Sequence, residues 1–292
     1  MYFAQDPTEL KAAEKFLTDA FAVEPDLYWI ALIDGAFDHG SNAAGTIYKG
    51  LNCYAAEYPL NDLVGAAPWL IELDPFEEKI HERMAQLLAH CSGRPMFSVM
   101  ASRIPAWNLG KRWFPLHHVH TSDKQRMLLR FADTRTLPLL PDILEPAQWG
   151  AVAAPLVHWF YVNREGTMAT CALPEPKEEA SLTALHLSQT QIDAMVKASE
   201  PDAALDLLAD QLPEVFAPNV AHGKLHGYIK KKTFGLIDRH GIDNWTDKVS
   251  LVTAELLTNG KMHENPKLEE LLLTKAWQPG NLRRALVDKD LV

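Results

Sequence analysis

Only three cysteines, Cys53, Cys91 and Cys171, occur in 292 residues. They are too few and too scattered for a disulfide framework or a CxxC zinc site. Positive charge is also short, with 28 Lys and Arg against 38 Asp and Glu and a net charge of −10 at pH 7. A dedicated nucleic-acid binder normally carries a basic footprint, so a nucleic-acid partner is not expected. Long apolar runs are lacking too. The longest, 151–162, contains Pro155 and His158 and is well below the ~20 residues that span a bilayer. The chain reaches Asp6 and Glu9 without a basic start or an apolar core, so no signal-peptide pattern is visible. The expectation is a cytoplasmic, reduced, unsecreted protein with no membrane partner. A hydrophobic content of 47% and a charged content of 23% exclude wholesale disorder.

Enzyme signatures are missing as well. There is no GxSxG elbow, no GxxxxGK[ST] phosphate loop and no GxGxxG after a strand. His81-Glu82 is followed by Arg83-Met84-Ala85, so the second histidine of an HExxH zinc motif is absent. The expectation is a protein that is not an enzyme and uses no cofactor or metal. The alternative rests on His117-His118-Val119-His120. On a strand, His118 and His120 share a face, a spacing that suits two imidazole ligands of a metal-dependent hydrolase. The plainer reading is a solvated strand end. Cys91, on the apolar stripe of its helix, reads as a core residue, and Lys230-Lys231-Lys232 as a solvated helix face.

What is present reads as a mixed α/β first half and a helical second half. Leu10, Ala13, Phe16, Leu17, Ala20 and Phe21 recur at helical spacing behind a cap at Asp6 or Thr8. The apolar run 27–33, closed by Asp34-Gly35, reads as a buried central strand. Further strands are predicted at 69–73, 96–100, 116–120, 126–131, 156–162 and 167–173. Helices are predicted at 76–91, 104–114 and 134–144. Strand signals stop at Pro174-Glu175-Pro176-Lys177-Glu178-Glu179, a stiff, charged stretch of linker character. Beyond it, helices are predicted at 189–198, 202–212, 221–240, 245–258, 268–273 and 282–287. The expected fold class is therefore an α+β, mixed α/β N-terminal domain at 1–173, a linker at 174–179, and a separate all-α C-terminal lobe at 180–292.

The most informative segment is Leu128-Leu129-Arg130-Phe131-Ala132-Asp133-Thr134-Arg135. It reads as a strand entering a turn, with Asp133 placed to cap the following helix and an arginine on either side of that carboxylate. The segment resembles the "RFYDPR"-type signature of the type VI secretion effector-chaperone (adaptor) family, the Tap/Tec proteins. Ala132 stands where an aromatic is usual, and Thr134 where proline is usual. Three more segments are similar to that family in the same order. Tyr28-Trp29-Ile30-Ala31-Leu32-Ile33-Asp34 resembles its "YALIDGA"-like strand, and Ala67-Pro68-Trp69-Leu70-Ile71-Glu72-Leu73 its "APYLVEL"-like strand. Pro155-Leu156-Val157-His158-Trp159 resembles its "gPi..w" segment. The resemblance covers about residues 27–160.

It implies a non-catalytic chaperone that binds a toxic type VI effector in the cytoplasm and helps load it onto the spike protein VgrG. Arg130, Phe131, Asp133, Arg135 and Trp159 are then the motif or partner-binding candidates. An immunity protein that binds the same toxin is an alternative within the binding class. Tryptophans 107, 113, 149, 159, 245 and 277 are potential interface anchors, most of them expected to serve packing.

Overall fold

The computed structural model describes residues 2–38, 47–55, 60–175, 184–216 and 220–292. The predicted central strand forms as β1 (Tyr28–Asp34). It pairs antiparallel with β3 (Pro68–Glu72) on one side and β4 (Phe97–Ser102) on the other. With β2 (Leu51–Asn52), β7 (Leu156–Val162) and β8 (Met168–Thr170) they make a six-stranded sheet in the order β2-β3-β1-β4-β7-β8. Every pairing in it is antiparallel.

Alternation along β1 divides its side chains between two cores, one on each face of the sheet. Trp29, Ala31 and Ile33 pack with helices α1 (Leu10–Val23) and α2 (Ile80–Cys91). Ile30 and Leu32 pack with Trp113 of α3 (Ala106–Trp113), with Phe131 and with Trp159. Burial on both faces explains why β1 is apolar without alternation. Each fully buried Leu or Ile contributes roughly 1.5–3 kcal/mol through apolar surface removed from water.

A smaller sheet joins β5 (Val119–Thr121) to β6 (Arg126–Met127) antiparallel and to β9 (His186–Leu187) parallel. The strands predicted at 116–120 and 126–131 are thus much shorter than their apolar content indicates. Phe114–His117 is a 3-10 turn, and 128–131 leaves the sheet to carry the motif. The helix predicted at 134–144 is a 3-10 turn, Leu137–Leu139, followed by the single turn Leu140–Ile143. Pro138 and Pro141 remove two backbone donors there. At the first helix the residue before Leu10 is Glu9, with no side-chain cap. The Thr8 N–H instead donates to Ser92 Oγ (2.9 Å).

The chain is an α+β N-terminal region followed by a helical C-terminal region. There are two compact units. One is Gln5–Ala198, and the other joins Ser199–Val292 to the N-terminal residues up to Ala4. The later division therefore falls within the helix Gln189–Ala209, and the expected first domain loses its first residues. The division lies downstream of the stretch 174–179, of which 176–179 fall outside the described residues. The reason is β9, which joins 186–187 to β5, and Gln191, whose side chain donates to Ile143 O (3.0 Å) and Gln148 Oε1 (2.7 Å). Ser188 caps this helix as predicted, its Oγ accepting from the Gln191 N–H. The break expected at Pro201 does not occur, and the helix runs through it.

The helical unit is built on Leu205, Leu208, Ile229, Leu251, Leu271 and Leu282. Its segment 222–240 is α-helical at each end and carries a π-turn at Lys230–Phe234. The three lysines of that turn are exposed, as the sequence predicts.

Candidate functional site

The buried run of β1 ends in a carboxylate, Asp34, and the chain then turns as a 3-10 segment, Gly35–Asp38. Gly35 is required by the close approach of the neighbouring strand. Its N–H donates to Ala67 O (3.1 Å), and a Cβ there would lie 2.4 Å from that oxygen. The turn sets Asp34 and Phe37 against the segment 130–135.

Four charged side chains meet there. Arg130 Nη2 donates to Asp34 Oδ2 (2.6 Å) and lies 3.7 Å from Asp133 Oδ2. Arg135 folds back over Asp133, its Nε donating to Oδ1 (3.0 Å) and its Nη2 to Oδ2 (2.7 Å). Asp133 Oδ1 also accepts from the Arg135 N–H (2.9 Å). This bond closes a local turn and is not the helix cap expected of Asp133: the 3-10 segment Leu137–Leu139 starts behind Thr136 and has no side-chain cap. Both guanidiniums lie over the Phe37 ring, at 5.0 Å for Arg130 and 5.6 Å for Arg135, where its quadrupole attracts a cation. The Thr134 N–H donates to Pro95 O (2.9 Å) and ties the motif to the approach to β4.

Exposure separates the four. The carboxylates of Asp34 and Asp133 are 4% exposed, Arg135 is 21% exposed and Arg130 44%. Burial pushes the Asp34 carboxyl above its ordinary value, against the lowering effect of Arg130. Phe131 and Trp159 lie in the core. The Phe131 ring meets Trp113 edge to face at 5.1 Å, and Trp159 stacks between Trp113 and Trp149. The Trp159 Nε1–H donates to Ser98 Oγ (3.1 Å), which satisfies its one polar group. Phe131 and Trp159 therefore hold the motif in place from beneath, and Arg130 is its most solvent-facing member.

A second cluster was not anticipated from the sequence. Asp38, at the end of the same 3-10 turn, accepts hydrogen bonds from Tyr48 Oη, His90 Nε2 (2.7 Å) and Arg94 Nη1 (2.5 Å). Arg94 also donates to the His90 carbonyl. Burial of Asp38 acts to raise its pKa, but the hydrogen bonds from Tyr48, His90 and Arg94 outweigh it and leave the carboxyl below 3.8. A carboxyl lowered on folding contributes stability that is fully present above its unfolded pKa and is lost as pH falls through the folded value. Stability of the wild-type chain is therefore expected to fall more steeply than that of Asp38→Asn as pH is lowered from 5 to 3. Urea midpoints measured across that range check this, and parallel curves would refute it.

Cys91, a core residue as expected, lies behind this cluster, and burial pushes its thiol up. Burial likewise pushes Cys171 up to about 12.

The histidine run is spread over two elements. His117 closes a 3-10 turn and meets the Tyr54 ring edge-on at 4.9 Å, while His120 sits on β5 and stacks on His186 at 5.3 Å. His118 lies immediately before β5, between the 3-10 turn and the strand. Among the described residues, no group of three or more His, Cys, Asp or Glu is arranged to hold a metal ion. Of the six tryptophans singled out, 113, 149 and 159 are buried, whereas Trp107 is 55% exposed on α3 with Lys111 Nζ 4.8 Å from its ring.

The comparison that bears on this site is a family model. Residues 29–151 match DUF4123, a domain of unknown function. The match covers less than half of the chain. It begins in β1 and ends in the helix Pro146–Ala153, so it takes in Asp34, Asp38, the motif 130–135 and the exposed Trp107. Trp159 and the helical unit lie outside it. DUF4123 is associated in general with type VI secretion effector adaptors. No curated protein and no solved structure gives a significant match. Among the described residues, no helix is long and apolar enough to cross a membrane.

Proposed function

We propose that this protein is a non-catalytic, cytoplasmic adaptor that binds a cognate type VI effector and helps load it onto the VgrG spike. The observation that carries the reading is coincidence of position. The DUF4123 match at 29–151 falls on the segment, about 27–160, whose four motifs resemble the effector-chaperone family in order. The site chemistry agrees with a binding role. The Asp34–Arg130–Asp133–Arg135 network is internally neutralised, and its carboxylates serve as fixed acceptors that aim two guanidiniums. Arg130 is the member we assign to partner contact. Arg135 and Asp133 position it, and Phe131 and Trp159 form the floor. The exposed Trp107 on α3 supplies an aromatic side chain of the kind enriched at interface hot spots. No cofactor enters this function.

The test is a deletion of the gene in its own host, read by two assays. The adaptor reading expects the toxin to remain active when expressed directly but to disappear from the secreted fraction. An immunity protein gives the reverse: its deletion leaves secretion intact and poisons the host. Unchanged secretion with an unpoisoned host would overturn the proposal.

A further inference from the structure

The helical unit contains an open cavity of about 870 Å³ outside the DUF4123 match. Val215, Leu225 and Leu256 form aliphatic wall. In its floor lies a polar cluster that a purely structural core does not need. Glu255, buried on the helix Trp245–Leu257, accepts from Tyr228 Oη and His263 Nδ1 (2.8 Å) on one oxygen, and from the His263 N–H (3.2 Å) on the other.

The backbone is adapted to this cluster on two sides. Gly260, at φ 80°, leaves room for the Tyr228 hydroxyl, which would lie 2.8 Å from a Cβ there. Directly after Tyr228 and Ile229, the helix widens into the π-turn Lys230–Phe234, a distortion often found at functional sites.

His263 Nδ1 faces both Glu255 Oε1 (2.8 Å) and Tyr228 Oη (3.0 Å). The ring's other nitrogen, Nε2, lies 4.0 Å from Glu264 Oε1. Among the described residues of the lining, Glu214 and Glu264 stand with one cation, Lys232. The cavity thus combines aliphatic wall and an excess of carboxylate. A cavity of this size is at the upper end of those that hold a compact ligand, with room for several side chains.

We propose that this cavity binds a short polypeptide segment carrying a lysine or arginine flanked by aliphatic residues. The aliphatic neighbours and the stem of the basic side chain lie against Val215, Leu225 and Leu256, and the cationic head reaches the carboxylates of Glu214 and Glu264. Long basic side chains divide in this way between apolar and charged surroundings, and the charge excess selects basic over acidic segments. The site lies apart from the motif at 130–135 in sequence, and the inference does not rest on the adaptor reading.

The test pans the full-length chain against a random heptapeptide display library and measures the affinity of the enriched peptides. The expected consensus holds Lys or Arg with at least two aliphatic residues. Affinity is expected to fall at least tenfold in the double variant Glu214→Lys, Glu264→Lys, both at exposed positions, and again in Leu225→Trp, which fills the cavity. If Leu225→Trp does not fold, the charge-reversed variant decides alone. An absence of enrichment, a consensus without a basic residue, or undiminished binding to the charge-reversed protein each overturns the proposal. So does spermidine binding as tightly as the best peptide, since the cavity would then recognise a cation without its flanking side chains.

Discussion

Arg135→Glu is expected to lower stability by about 3–5 kcal/mol, the cost of breaking a buried ion pair by removing one partner, before any partner protein is added. Arg135 spans both oxygens of a 4%-exposed carboxylate, so its loss leaves Asp133 with too few donors. The new carboxylate would stand against Asp133, with Asp34 on the other side of Arg130. For a unit of this size the loss corresponds to roughly 10 °C in melting temperature, given about 2–4 °C for each kcal/mol. Arg135→Lys keeps the charge but not the two-pronged geometry and should fall between. Arg130→Glu is the contrasting variant. At 44% exposure its pairing with Asp34 is partly solvated and costs less to lose, so its larger effect is expected on partner capture. Thermal melts and pull-downs on the same preparations separate the two. An Arg135→Glu protein that melts within a degree of wild type would remove the positioning role assigned to this arginine.

The second large effect is expected at Asp247, in the first turn of the helix Trp245–Leu257. Its buried carboxylate accepts from Trp277 Nε1–H (3.1 Å), the Gly280 N–H (2.8 Å) and the Leu282 N–H (2.8 Å). One side chain thereby holds the loop before the helix Leu282–Asp288 and satisfies donors that the helix start leaves open. Asp247→Ala strands all three. At about 1–3 kcal/mol for each buried donor left without an acceptor, and with part of the loss recovered by entering water, the expected cost is about 3–6 kcal/mol. Hydrogen exchange at the Gly280 and Leu282 amides should accelerate in the same variant. Unchanged exchange with an unchanged urea midpoint would show that the loop is held by other contacts.

Local pattern and long-range pairing explain what could be read beforehand. β1 was readable because burial on both faces makes a strand uniformly apolar. The stripe Ile80, Met84, Leu87, Leu88 and Cys91 was readable because a helix repeats its inner face at fixed spacing. Phe76, placed on that stripe, is 76% exposed. Asp74 holds a separate turn there by accepting from the Phe76 N–H (2.9 Å), and the helix begins only at Ile80. Pro201 misled for a similar reason: proline disfavours a helix interior by about 3 kcal/mol, yet apolar packing of Ala204, Leu205 and Leu208 after it keeps the helix continuous.

At the site, the link between Asp133 and Arg135 was visible because the two are neighbours in the chain. Asp34, 96 residues from Arg130, reads in the sequence only as the end of a strand. The Asp38 cluster left no signal, because its partners Tyr48, His90 and Arg94 lie 10, 52 and 56 residues away. The same holds for Tyr228, Glu255 and His263, brought together by the packing of three helical segments. Trp159 carried family resemblance without surface exposure, since a motif records what a fold needs as readily as what a partner touches.

The adaptor reading is tested most directly by whether this protein forms a specific complex with a type VI effector toxin, sought first among the products of the neighbouring genes. The purified chain would be titrated into a catalytically inactivated form of that toxin and binding measured calorimetrically, with Arg130→Glu run in parallel. The reading predicts a stoichiometric complex that Arg130→Glu weakens at least tenfold, with a smaller loss of melting temperature than Arg135→Glu suffers. No heat of binding, and no co-elution of the two wild-type proteins on gel filtration, would contradict it.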